Sequence, residues 1–141
     1  MEHRFELLPG MVQVSLTDGR MPEEVVPVLL EAAKLARAQR RKDLLVVSGL
    51  DDPATAEAVS AAMEEMHALG ALPRRIAFVA YALAPYSVYH FAEHFAERFG
   101  IAAKVLVSVR DAKDWLHSGA PPHKSASGRS RGAIAGKVSG Q

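Results

Sequence analysis

Cysteine is absent from this chain of 141 residues. That excludes a disulfide framework, thiolate catalysis and every Cys-ligated zinc or iron–sulfur site. It also fits a reducing compartment, so a cytoplasmic location is expected. Long apolar runs are missing too. No stretch approaches the ~18 uninterrupted apolar residues of a membrane span, and the start Met1-Glu2-His3-Arg4 carries acid where a signal peptide would be apolar. There is no G-x-G-x-x-G and no phosphate-cradling glycine loop, so the sequence offers no nucleotide-binding motif. No G-x-S-x-G elbow exists for a serine nucleophile. Glu64 and Glu65 are adjacent on a predicted helix, point apart, and cannot work as a facing acid–base pair. No internal repeat is evident. No cofactor is expected.

What the chain does have is apolar material: 49% of its residues are hydrophobic. That is enough for one soluble core, and the length suits one domain. The net charge of +1 hides an asymmetry. All 16 acids lie between Glu2 and Asp114. Residues 118–141 hold Lys124, Arg129, Arg131 and Lys137 and no acid. The body, 1–117, therefore has 13 basic and 16 acidic residues, or −3, and the tail is +4. An acidic body argues against a nucleic-acid partner. The tail, rich in Gly, Ser, Ala and Pro and lacking aromatics, is expected to be disordered.

The hydrophobic pattern of the body alternates between strands and helices. Phe5 to Leu8 and Met11 to Leu16 predict two strands joined by a hairpin turn at Pro9-Gly10. A helix is predicted from about Pro22 to Arg40, with Pro27 as a kink or a marker of its true start. Leu44 to Val47 is a continuous apolar run suited to a strand buried on both faces. Asp52 then reads as an N-cap with Pro53 at the first helical position, and the helix runs to Gly70 with Met63 and Met66 in its core face. Arg75 to Ala80 predicts another buried strand. A helix from Tyr86 to Phe99 carries Val88, Phe91, Ala92, Phe95, Ala96 and Phe99 on one face and stops at Gly100. Lys104 to Val109 predicts a last strand, and Asp111 to Leu116 a short closing helix. The order β-β-α-β-α-β-α-β-α implies an α/β fold with a mixed sheet of four or five strands and about four helices.

Three groups of residues invite a functional reading. His90-Phe91-Ala92-Glu93-His94 matches the H-x-x-E-H pattern of one class of zinc peptidases. His90 and His94 fall one helical turn apart and could grip one metal, with Glu97 a turn further on. The competing reading is a solvated polar face, and a metal-dependent hydrolase is the weaker expectation. The second group is the loop from Ser48 to Thr55, with Asp51 and Asp52, which leaves a central strand and enters a helix N-terminus where α/β proteins tend to meet ligands and partners. Its two carboxylates oppose a phosphate ligand. The third is Tyr81, Tyr86 and Tyr89 around the apolar Ala82-Leu83-Ala84-Pro85 segment, read either as the rim of a ligand pocket or as a hydrophobic staple in the core.

The stretch Arg74-Arg75-Ile76-Ala77-Phe78-Val79-Ala80, the aromatic helix, Ala103-Lys104-Val105-Leu106-Val107-Ser108 and the ending Ala112-Lys113-Asp114-Trp115-Leu116 together resemble the SpoIIAA-like family of the STAS-like fold. The resemblance spans most of residues 1–117. It implies a mixed sheet flanked by helices and a non-enzymatic regulatory or protein-interaction role. Anti-sigma-factor antagonists of the STAS type carry a phosphorylatable Ser or Thr behind an Asp at the helix after the central strand. Here Asp52 is followed by Pro53 and Ala54, and only Thr55 is near. Thr55 is therefore expected not to be a phosphoacceptor, and the fixed charge of Asp51 and Asp52 is expected to mark the partner surface, with Ser48 and Thr55 beside it. The partner is an unidentified protein, with a homodimer as one form it takes. Lipid-binding relatives of the CRAL-TRIO type offer the alternative, a carrier with an apolar pocket near Tyr81, Tyr86 and Tyr89.

Overall fold

A computed structural model of the chain describes residues 3–16, 24–49 and 55–118. The tail from residue 119 and the Asp51–Asp52 pair lie outside the described residues.

Strand β1 (His3–Leu8) turns at Pro9-Gly10 into β2 (Met11–Leu16), with Leu8 paired to Met11 in an antiparallel register. Helix α1 (Val25–Ala38), strand β3 (Asp43–Val47), helix α2 (Ala56–Ala68), strand β4 (Arg75–Val79), helix α3 (Leu83–Glu97), strand β5 (Ala102–Leu106) and helix α4 (Val109–His117) come next. The strands lie side by side in sequence order, and β2 to β5 are all parallel. The α/β class, the five-stranded mixed sheet and the four helices agree with the pattern of the sequence.

Each parallel step moves to the next strand in the same direction. Right-handed crossovers then put α1, α2 and α3 on one face of the sheet. The buried residues show that layer: Val12, Val14, Leu44, Val46, Ile76 and Phe78 of the sheet form one core with Val28, Leu29, Ala32, Val59, Met63, Met66, Tyr89 and Ala92 of the helices. Among the described residues, α4 alone covers the opposite face. There Met11, Leu45, Ala77 and Val79 pack against Ala112 and Leu116, with Trp115 at the margin. Because helices cover both faces over β3 and β4, those strands are buried at almost every position and read as continuous apolar runs.

Helix α4 is short, and a buried arginine holds its end. Arg75, 3% exposed, donates from Nη1 to the carbonyls of Trp115 and Leu116 at 3.3 and 3.2 Å, while its Nε has no hydrogen-bond partner. The Trp115 carbonyl also accepts from the Ser118 amide and hydroxyl at 3.2 and 2.6 Å, and both carbonyls sit at the negative end of the helix, so a cation is favoured there. The guanidinium also lies 5.9 Å from the centre of the Trp115 ring. Its neighbour Arg74 points the other way and forms a two-pronged pair with buried Asp43, at 3.2 and 2.9 Å. That carboxylate holds the Arg74 proton more tightly than usual, by hydrogen bonding first and by charge second.

Four boundaries differ from the sequence pattern. Helix α2 is capped by Thr55, whose hydroxyl accepts from the Ala58 amide at 3.0 Å, and not by Asp52. Helix α3 starts at Leu83, so the Leu83-Ala84-Pro85 segment is its first turn and not a loop. Both Pro27 and Pro85 occupy the third helical position, where the missing N–H costs no internal hydrogen bond, and α1 begins at Val25 without need of a kink. Strand β5 runs earlier than expected and ends at Leu106, because Ser108 is the cap of α4 and accepts from Asp111 N at 3.0 Å. The buried face of α3 is also different. It consists of Pro85, Tyr89, Ala92 and Ala96, while Phe91 is exposed and Phe95 and Phe99 are half-buried at the border.

Removing the Arg75 side chain should take the charged donor from the buried end of α4, leaving the Leu116 carbonyl without it and the Trp115 carbonyl with Ser118 alone. Arg75→Ala is expected to lose about 2–4 kcal/mol of stability. The single tryptophan sits on α4, so its emission should shift to the red at lower denaturant than the far-ultraviolet ellipticity falls. Coincident transitions at wild-type stability would contradict the role given to Arg75.

Candidate functional site

The carboxyl ends of the parallel strands form one edge of the molecule. The Ser48 amide donates to Val79 O at 2.9 Å, and the Ala80 amide to Leu106 O at 3.0 Å. These two bonds set Ser48-Gly49, Ala80-Tyr81 and Leu106-Val107 side by side where the chain leaves β3, β4 and β5. After each exit the next helix described starts at the cap positions Thr55, Ala82 and Ser108.

Large apolar side chains stand in solvent along this edge. Leu83 is 80% exposed, Val107 61% and Tyr81 52%, the three highest exposures among the large hydrophobic side chains described. The others, Leu7, Leu69 and Phe91, are dispersed over β1, the end of α2 and the outer side of α3. Single exposed apolar residues are ordinary, whereas a group of them in adjoining segments marks a contact surface. Sequence alone does not single out Leu83 and Val107 as site residues. Each flanks a helix cap, and an apolar residue there is equally consistent with packing onto its own helix. Only the exposure separates the two cases.

Of the residues expected on this surface, Thr55 is there and exposed, as the cap of α2. Assigning the cap to Asp52 puts its hydroxyl about a turn too far into the helix. Ser48 is at the edge but 2% exposed, and its hydroxyl donates inward to Gly49 O at 3.1 Å. The three tyrosines do not share a rim. Tyr81 is exposed, Tyr86 is half-buried, and Tyr89 is fully buried in the core, stacked 4.3 Å from the Phe78 ring at 11°. The reason is helical periodicity: once α3 starts at Leu83, Tyr89 falls in line with Pro85, Ala92 and Ala96 on the face toward the sheet.

The H-x-x-E-H segment lies on α3, away from that edge. His90 and His94 do meet, with ring centres 5.6 Å apart in an edge-on arrangement. No third His, Asp or Glu joins them in a metal-binding group among the described residues. The intervening Glu93 has a structural use. Its Oε2 accepts from the Val105 amide at 2.8 Å, and its Oε1 lies 3.5 Å from His90 Nδ1. Among the described residues, β5 is an edge strand, paired to β4 on one side only. Glu93 thus covers an outward N–H that would otherwise be open to another chain.

No family model, curated protein or solved structure matches the chain.

If Glu93 serves the β5 edge, Glu93→Ala should cost about 1–2 kcal/mol and accelerate hydrogen exchange at the Val105 amide, while His94→Ala leaves both unchanged. Equal effects of the two substitutions, with bound zinc lost in both, would restore the metal reading.

Proposed function

We propose that this chain is a non-enzymatic protein-interaction module that meets its partner through the carboxyl edge of its sheet. The observation that carries the reading is the exposure of Tyr81, Leu83 and Val107 on the adjoining exits of β4 and β5. Contact surfaces typically combine an apolar centre with a polar rim. Here the Thr55 helix start would supply the polar rim, and Asp51 and Asp52, just before it in sequence, would add negative charge to the partner's contact. The likeness of the sequence to STAS-type regulatory proteins points to the same manner of working, since such proteins bind a partner at this edge of the sheet.

The alternative of a carrier that encloses a lipid or small molecule within its core has less support. A carrier encloses its ligand in a cavity of several hundred Å³. The space between α1, α2 and the sheet, bounded by Leu29, Val46, Met63, Met66 and Phe78, amounts to about 10 Å³. That is about the size of one water at most. Tyr89, which would have lined a pocket, is packed on Phe78.

The test is a double substitution at exposed positions, Leu83→Ser with Val107→Ser. Stability should change by less than about 1 kcal/mol, because neither side chain is in the core. A partner retained by the wild-type chain should bind the variant at least ~10-fold more weakly, measured by quantitative affinity capture and then by titration. If the partner is a second copy, sedimentation should show the dimer of the wild type and not of the variant. Unchanged binding by a variant of unchanged stability would refute the assignment of this edge.

A further inference from the structure

The opposite edge of the sheet, at the amino ends of β3, β4 and β5, carries an open groove of about 570 Å³. Five cations line it: Arg37, Arg40, Arg41, Lys42 and Arg74. They are five of the 13 cations in a body that is acidic overall. The floor between them is apolar, formed by Ala36, Ala71, Leu72, Pro73, Phe99 and Ile101.

Part of this charge has a local explanation. Helices α1, α2 and α3 all end here, and cations are favoured near helix carboxyl ends. Arg37 Nη1 donates to Leu69 O at 3.1 Å, and Arg41 donates to Leu8 O and Gln39 O at 2.9 and 3.0 Å. Arg74 is paired with Asp43. Among the described residues, no hydrogen bond or ion pair engages the side chains of Arg40 and Lys42. Helix capping does not use them.

The backbone singles out the same residue. The three helices end alike, at positions 30 residues apart. Arg40 N donates to Arg37 O, Gly70 N to His67 O and Gly100 N to Glu97 O, each at 3.1 Å. The next amides, of Arg41, Ala71 and Ile101, reach back to Ala36, Met66 and Ala96. This is the ending that wants a left-handed residue after the helix. Gly70 and Gly100 provide it at φ 67° and 74°, whereas α1 uses Arg40 at φ 58°, the one non-glycine residue with positive φ among those described. An arginine is strained there, and glycine is not. The arginine side chain thus comes at a backbone cost that glycine would not carry, and it lines the groove.

We infer that this groove binds a small organic phosphate. Arg40 and Lys42, with the unused N–H groups of Arg37 and Arg41, receive the phosphate oxygens. Arginine suits that task because its planar fork of donors matches the geometry of phosphate. A phosphate carries more than one negative charge, which answers the surplus of cations better than a single carboxylate does. An apolar or aromatic body on the ligand covers Leu72 and Phe99, and the volume suits a ligand of that size. The groove is at the far end of the sheet from the proposed partner surface, so each assignment stands without the other.

The test is a titration of the full isotope-labelled chain with inorganic phosphate, pyrophosphate and naphthyl phosphate at about 0.15 M salt, where loose surface attraction is screened. Amide shifts should be confined to residues 37–42, 70–74 and 99–101. Naphthyl phosphate should bind at least ~10-fold more tightly than inorganic phosphate, because only it covers the floor. Arg40→Gly should weaken that binding at least ~5-fold while raising Tm by a few degrees, since it relieves the strained backbone. Shifts spread over every exposed cation, or none below about 10 mM, would overturn the site. So would an Arg40→Gly variant of unchanged affinity. Binding to phosphatidic acid vesicles but to none of the soluble compounds would overturn the assignment to a small molecule.

Discussion

Three crossovers made in the same direction determine most of what this molecule can be. With β2 to β5 laid down in sequence order, every connecting helix falls on one face of the sheet. The other face is left to the chain beyond β5, where the nine residues of α4 must cover it. Nine residues make a marginal helix, and alone it would fray. Its attachment depends on Ala112 and Leu116 in the sheet surface and on Arg75 beneath its last carbonyls. Arg75 is thus a buried cation whose main partners are backbone dipoles. The second core exists to the extent that this contact holds.

The same topology separates the two ends of the sheet chemically. At the carboxyl edge the chain passes from strand to helix, and helix starts present N–H groups, caps and a few exposed apolar side chains. At the amino edge it passes from helix to strand, and helix ends present carbonyls. Those carbonyls recruit arginine, and the parallel register then gathers the arginines. Lys42 and Arg74 are 32 positions apart in sequence but adjacent across β3 and β4, where the Arg74 amide donates to Lys42 O at 2.6 Å. An acidic body thereby acquires a basic end.

Much of the fold was legible because its signals are redundant. The unbroken apolar runs at 44–47 and 76–79 have one natural reading, a strand covered on both faces, and two such runs between helical segments imply a parallel sheet. Boundaries were harder where two residues offer the same physics. Asp52 and Thr55 both cap helices well, and Pro53 supports the wrong one. Leu83-Ala84-Pro85 reads as a loop because proline usually interrupts, yet in a first turn it interrupts nothing. The candidate surface was legible in position but not in membership. The sequence locates the exits of β3 and β4, but it does not show that Leu83 and Val107 face water while Tyr89 and Ser48 do not. The basic groove was hidden, since its cations read singly as complements to a helix dipole and assemble only through strand pairing.

The carboxylate of Glu93 at the middle of β5 has a consequence for how copies of this protein can associate. A sheet with two open edges can add strands without end, which is the route to fibres. Here a strand approaching β5 must first displace Glu93 from the Val105 amide, so that margin is closed to new hydrogen bonds at its centre. Strand addition at β5 is thus opposed by one side chain.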